Sequence, residues 1–558
     1  MTRETSNVAT PGTSAYEIGE RYEASLSDRD RRLGSHFTPA DVAEALVARA
    51  WATHGHRGSD GPVVCDPSCG GGVFLVAAAN LLLSLGYAPE RIVNHHVVGV
   101  DIDQGAVRAS AEALSLWAAE AGATSTVTPR VLLADGLVDP LDEVGAIDLV
   151  VGNPPFQNQL GADTARDAAQ RALVTERFGS AAKGYVDVAA LFLLRSLQLV
   201  RPGGTVCLIQ PRSLLAARDA VMVRARVLDG NDLAAMWLPG VKVFEASVDV
   251  CAPIVTVGTV DDGAAAARTD PSTKVIGGRV AEVELGHVPR SALDAAPTWS
   301  PLWAVANGVP LVAGPGAAGE ATHGAAFRPR SIGDLATATA GFRDQFYGIA
   351  SNLVADEPDR GARVISTGMI DPLALGWSTR QSRIGGVAWT APWVDLDAVA
   401  RSDSDLQGWI ARLLIPKVLV ATQTRVIEVV EDPLGDLVPL TPVIAVTPAP
   451  GVSVSHLAAA LLVPAATAWA AAHFGGAGLS HAALKLSAKQ VLQLPVPCDE
   501  GAWDAAADMV RRGAPTTEDG WLQLASVLNA SWGIEDPALD SWWVARVPQM
   551  SSRRRILR

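Results

Sequence analysis

The chain reads as an α/β protein built on a doubly wound parallel sheet, followed by a mixed α+β second half. Three observations carry this reading. From about Arg31 to Val257, short continuous runs of Val, Ile and Leu alternate with amphipathic stretches of helical length, and strands without polar alternation are those buried on both faces of a parallel sheet. Strand, helix and strand recur in that order along the whole stretch, which is the βαβ pattern. A glycine-rich segment at Gly70-Gly71-Gly72 joins one such strand to one such helix, so a tight turn lies at the carboxyl edge of the sheet, where doubly wound sheets hold ligands.

In chain order, residues 1–30 are polar and lack the apolar stretch of a secretory signal, so a flexible segment is expected there. Thr38 is suited to cap the helix ADVAEALVARA, with Pro39 as its first residue. The strand VVC ends at Asp66, and the turn Pro67-Ser68-Cys69-Gly70-Gly71-Gly72 leads into the helix VFLVAAANLLL, which contains Phe74. A second strand, VVGV, ends at Asp101-Ile102-Asp103, a third, VLLA, at Asp135-Gly136, and a fourth, IDLVV, at Gly152-Asn153-Pro154-Pro155-Phe156. The helix VDVAALFLLRSLQLV is expected to stop at Pro202-Gly203-Gly204 before the strand TVCLIQP. These elements make one domain over residues 31–257. Residues 258–330 lose periodicity and read as linker and loops. Residues 331–500 carry short apolar runs and one long Ala-rich helix, and residues 501–558 look helical and end in the basic tail SSRRRILR.

The 558 residues exceed the roughly 100 to 200 of a usual domain, so two or three domains are expected. A net charge of −14 argues against a surface devoted as a whole to polyanions, and a nucleic-acid reader has to concentrate its positive charge locally. The five cysteines are spread along the chain without CxxC spacing, so neither a disulfide framework nor structural zinc is indicated and a reducing cytoplasm is expected. The most apolar window, Leu457 to Ala472, is shorter than the roughly 20 residues that span a bilayer and reads as a buried helix, with no membrane partner.

A glycine turn lets a bulky ligand approach the backbone, because no Cβ stands in the way. The dinucleotide fingerprint G-x-G-x-x-G is only half matched, with Leu75 where the third glycine belongs. An acid at the first strand end repels a pyrophosphate but suits a positively charged ligand. Asp101 is placed to accept hydrogen bonds from both hydroxyls of a ribose. In Asn153-Pro154-Pro155-Phe156 two prolines that cannot donate make a rigid extended spur with free carbonyls. The Asn153 side-chain oxygen and the Pro154 carbonyl can accept both hydrogens of one planar amino group, and Phe156 can stack on a flat base.

In this order the motifs resemble those of S-adenosylmethionine-dependent N6-adenine DNA methyltransferases of the gamma class, as found in restriction-modification systems. The likeness extends upstream to Gly34-Ser35-His36-Phe37-Thr38-Pro39 and downstream through RPGGTVCLIQPRSLL and VKVFEASVDVCAP. It implies a class I methyltransferase, Rossmann-like fold over residues 31–257 and a C-terminal target-recognition domain. It also implies S-adenosylmethionine as cofactor, no metal, and double-stranded DNA as partner, with a flipped-out adenine methylated at N6. Phe37, Thr38, Pro39, Asp66, Pro67, Cys69, Gly70, Gly72, Phe74, Asp101, Ile102, Asp135, Gly136 and Asn153 correspond to the cofactor pocket. Asn153, Pro154, Pro155 and Phe156 correspond to the catalytic motif, and Phe244 joins Phe156 against the target base.

Residues 331–500 resemble, more weakly, the specificity domains of single-chain enzymes of this kind. Between Arg328 and Arg425 the chain carries 11 basic against 10 acidic residues. Arg343, Arg380, Arg383, Lys417 and Arg425 are the candidate DNA contacts, by guanine edges or phosphates. The arginines of the tail read as a solvated end, and His54, His56, His95 and His96 as surface residues without metal-ligand spacing. Two other functions remain open at this point: methylation of RNA or of a protein glutamine, and a DNA-recognition subunit of a defence complex. A cognate restriction or defence subunit is a further possible partner.

Overall fold

The structure is a computed structural model that describes residues 13–26, 38–55, 61–156, 168–182, 184–244, 248–258, 271–296, 298–315, 330–355, 361–476, 478 and 483–548. The chain divides into two compact units, Met1–Ala306 and Asn307–Arg558.

The first unit begins with helices α1 (Thr13–Ser25) and α2 (Ala40–Thr53), followed by strand β1 (Val64–Asp66), helix α3 (Val73–Ser84), β2 (Val97–Asp101), α4 (Gln104–Glu120), β3 (Arg130–Leu133) and β4 (Ile147–Gly152). After α5 (Ala168–Phe178) come α6 (Val188–Leu199), β5 (Val200–Leu208), β6 (Gln210–Pro211), α7 (Val221–Leu228), β7 (Asn231–Trp237), β8 (Val250–Val257), β9 (Ser272–Gly277) and β10 (Val283–Pro289). The sheet order is β10-β9-β7-β8-β5-β4-β1-β2-β3, with β6 paired to β8. Pairing is parallel from β3 through β2, β1 and β4 to β5, and antiparallel where β8 meets β5 and β7. Strands β1 and β4 are buried along their whole length, as the unbroken apolar runs require. Because β1 pairs with both β2 and β4, the strand order reverses beside it, and Asp66, Asp101 and Gly152 all end at one edge of that switch point.

Several expectations are corrected. Residues 13–25, read as flexible, form α1, whose Ala15 and Ile18 are buried. Its apolar positions are too few to stand out of a polar segment. Residues 272–306, read as linker, carry β9, β10 and the helices Arg290–Ala295 and Ser300–Ala306 of the first unit. Arg201-Pro202-Gly203-Gly204 lie inside β5 rather than between helix and strand. The register runs from Ile147↔Val200 to Leu149↔Thr205, a bulge that accommodates a proline without a donor and Gly203 at φ +82°.

Within the second unit, a four-stranded sheet orders Ala336–Ala340, Ile444–Pro448, Lys417–Val420 and Val429–Asp432. A second orders Leu353–Val354, Trp393–Asp395, Gly361–Ile365 and Leu437–Pro439. The expected single Ala-rich helix is two, Val454–Leu462 and Pro464–Phe474, bent by 61°, because Pro464 has no N–H to continue the first and starts the second at its preferred position. Both are largely buried. Among the described residues no single helix is long and apolar enough to cross a membrane. His54 and His96 are buried, not on the surface, and the Nδ1 of His96 lies 2.9 Å from the Pro62 carbonyl oxygen.

Candidate active site

The turn after β1 is laced into the strand ends around it. Cys69 N–H donates to the Val100 carbonyl at 2.9 Å and Gly70 N–H to Asp101 Oδ2 at 2.9 Å. Asp101 Oδ1 takes the Asp103 N–H at 2.9 Å, and Ser110 of α4 donates to the Gly70 carbonyl at 2.8 Å. Gly70 and Gly72 have φ of +50° and +86°, conformations side chains rarely adopt. At Gly72 the need is also steric, since a Cβ there lies 2.9 Å from Ser110 Oγ. At Gly70 the space a side chain fills is open, with Glu23 Oε1 at 3.6 Å the one heavy atom within 4 Å among the described residues other than its two chain neighbours. That opening fits a ligand pressed against the backbone of the turn.

Asp66 lies beneath this turn and is 1% exposed. Ser68 N–H donates to its Oδ1 at 3.0 Å, and burial pushes its carboxyl up to about 8. Its other neighbour is Gly152, where a Cβ falls 2.5 Å from Asp66 Oδ1, so the end of β4 closes directly over the carboxyl. Asp101 is likewise pushed up by burial, and Asp103 is held below the usual carboxylate range by the hydroxyl of Tyr22, which donates to it at 2.8 Å. Ile102 is 65% exposed between them, an apolar surface beside Asp101. Asp135 accepts from Leu137 N–H at 2.9 Å. A Cβ on Gly136 meets the Pro67 carbonyl at 2.0 Å, so the loops after β1 and β3 touch and Pro67, Gly136 and Asp135 adjoin.

The fourth strand end completes the group. Asn153 Nδ2 donates to Thr38 Oγ1 at 3.0 Å, with Thr38 only 2% exposed. The N-cap of α2 is Pro39, and Thr38 therefore directs its oxygen to Asn153 rather than capping the helix. Pro154 is buried, and Pro155 and Phe156 are half-buried. The Phe156 and Phe244 rings lie edge to face, 6.4 Å apart at 73°, although Phe244 comes from 88 positions further along the chain.

Phe37 lies outside the described residues, as do Arg328 and the C-terminal arginines. Phe74 is corrected: 1% exposed in the hydrophobic core, it packs α3 and has no face for a ligand. Lys417 is corrected too. It is fully buried, and its ammonium is hydrogen-bonded to Asp432 across the strand pair and to the Ile415 carbonyl at 3.3 Å, so no DNA phosphate can reach it. Arg380 is tied to Asp371 and donates to the Gly368 carbonyl at 2.9 Å. Arg343, Arg383 and Arg425 are exposed. The neighbours of the turn missing from the sequence reading are Tyr22 and Glu23 of α1. The available signal was a glycine at position 19 inside a helical, otherwise polar stretch.

Comparison with known proteins agrees with this geometry. Residues 14–265 match the family described as N-6 DNA Methylase. The type II methyltransferase M.MamI of Microbacterium ammoniaphilum is 30% identical over 172 residues, covering 27% of this chain and 44% of that protein. The type II methyltransferase M.TthHB8I of Thermus thermophilus is 27% identical over 197 residues, covering 35% and 38%. The chain thus spans less than half the length of these curated relatives. Among solved structures, that of the type IIL restriction-modification enzyme MmeI in complex with DNA matches with a TM-score of 0.61 at 13% identity, over 98% of this chain and 82% of that one, a likeness of fold.

Proposed function

We propose, from the premise that residues 14–265 match the N-6 DNA methylases, that the chain methylates N6 of adenine in double-stranded DNA within a restriction-modification or phage-defence setting. The carrying observation is the convergence of Asn153-Pro154-Pro155-Phe156, Thr38 and Phe244 beside three acid-ended parallel strands.

S-adenosylmethionine, when bound, supplies a methyl group on a positively charged sulfonium. The residues present suit it: the open space before Gly70 accepts a bulky group, Asp101 suits a ribose, and Ile102 offers an apolar surface. Asp66 shapes this pocket from below. Asn153 Oδ1 and the Pro154 carbonyl accept the two hydrogens of the adenine amino group, which draws the nitrogen lone pair out of conjugation with the ring and readies it for attack. Thr38 fixes the Asn153 amide so that the acceptor needs no reorganisation at the moment of reaction. Phe156 and Phe244 hold the extruded base, and catalysis is chiefly positioning. In the second unit, the exposed Arg343, Arg383 and Arg425 serve target recognition.

Incubation of the purified chain with duplex DNA, RNA and bulk protein, each with labelled methyl donor, tests this. Label is expected on adenine N6 of duplex DNA alone, and Asn153→Ala is expected to abolish it. Label on RNA or glutamine, or label that survives the substitution, defeats the reading.

A further inference from the structure

We propose that α1 is part of the cofactor site and that its Glu23 is a second carboxylate, beside Asp101, that accepts a hydrogen bond from bound S-adenosylmethionine. This rests on the cofactor reading above. Three observations point to it. First, α1 crosses the glycine turn backbone against backbone: a Cβ on Gly19 lies 2.6 Å from the Gly71 carbonyl oxygen, and one on Gly71 lies 2.6 Å from the Gly19 Cα. A glycine inside a helix costs roughly 0.5–1 kcal/mol relative to alanine, and here it is what allows the helix to seat on the turn.

Second, the helix is pinned on both sides of this crossing. Tyr16 donates to Glu44 of α2 at 2.9 Å, and Tyr22 donates to Asp103 at the start of α4 at 2.8 Å. Third, the next residue, Glu23, brings its carboxyl beside the Gly71 amide. Its Oε1 bounds the open space in front of Gly70, 3.6 Å from where a side chain begins. Asp101, which accepts the Gly70 N–H, and Glu23, whose Oε1 bounds the space before Gly70, therefore flank the same turn.

The groups facing Glu23 are Asp101 from β2, Glu20 on its own helix, and the Tyr22 hydroxyl that intervenes before Asp103. Among the described residues no lysine or arginine forms an ion pair with Glu23 or Asp101. Burial pushes the Glu23 carboxyl up to about 7. The cofactor carries a sulfonium and an ammonium against one carboxylate, a net positive charge, and favours the ionised form of Glu23. Cofactor affinity should accordingly rise as pH climbs through about 7.

Calorimetric titration of the full chain with S-adenosylmethionine at pH 6 and pH 8.5 tests the assignment, with melting temperatures of the ligand-free proteins measured alongside. Glu23→Gln keeps the shape and removes the charge. It should weaken binding about tenfold or more at pH 8.5, the worth of one charge-assisted hydrogen bond, with a smaller loss at pH 6 and no fall in ligand-free melting temperature. Wild-type binding that Glu23→Gln leaves within twofold at pH 8.5 overturns the proposal and spares the cofactor reading. So does an equal loss at both pH values with a lowered melting temperature. Wild-type protein that binds no cofactor at either pH sinks both.

Discussion

Thr38→Val separates the positioning of Asn153 from its presence. Thr38 is buried and its Oγ1 accepts from Asn153 Nδ2 at 3.0 Å. Valine keeps the branched shape and removes only the oxygen. Loss of that acceptor costs about 1–3 kcal/mol, or lets the amide turn and carry Oδ1 away from the position the proposed mechanism requires. Either outcome corresponds to roughly a 5- to 150-fold loss. It should fall on kcat, because in the proposed mechanism Asn153 acts on the base in the transition state. The assay is steady-state methylation of duplex DNA, with Thr38→Ser as the control that restores the oxygen. Turnover of Thr38→Val within twofold of wild type refutes the argument, as does a Thr38→Ser variant as slow as Thr38→Val.

Asp66 should make the ligand-free fold less stable as pH rises. Its carboxyl ionises near 8 when folded and near 3.9 when unfolded, so the folded state holds the extra proton. Stability attributable to it is intact below about pH 4 and declines by at most about 1.4 kcal/mol per pH unit up to about pH 8. Asp66→Asn should flatten that decline in denaturant unfolding followed from pH 5 to 8, and a slope equal to wild type contradicts the assignment. Lys417→Met should destabilise the second unit by about 3–5 kcal/mol by stranding Asp432 in the interior, seen as an earlier unfolding transition. A variant of unchanged stability with weakened DNA binding instead returns Lys417 to the DNA-contacting set.

The parts legible in the sequence are those whose chemistry is written in consecutive residues. Asp66 and the glycines that follow, Asp101, Asp135 and Asn153 to Phe156 announce themselves because each strand end and the turn after it are contiguous, and the parallel sheet then brings four such ends to one edge. Illegible were the pairings that only the fold creates. Nothing in a stretch as polar as residues 13–25 indicates that Gly19 seats on Gly71 or that Tyr22 reaches Asp103, because both partners are more than 50 residues away. The bulge in β5 was missed for a related reason: proline and glycines in sequence signal a break, while register against β4 decides whether the strand absorbs them. Lys417 carried the charge of a DNA contact but sits in a strand whose four residues are all buried. Its pairing with Asp432 depends on the antiparallel register, which composition does not reveal.

The same distinction governs the net charge. The formal value of −14 counts every carboxyl as ionised and as part of the outward field. Yet burial pushes Asp66 and Glu428 up to about 8 and Glu23 to about 7, so at neutral pH these groups are largely or partly protonated. Asp432 is spent on the buried Lys417, and Asp371 on Arg380. The protonated acids bring the effective charge closer to zero than the count, and each ion pair cancels one acid against one base without changing the total. Exposed guanidiniums such as those of Arg343, Arg383 and Arg425 are screened only by their immediate neighbours over about one Debye length, near 8–10 Å at physiological salt. On the proposed function, DNA binding follows from the local placement of arginines, and an acidic total is no argument against it.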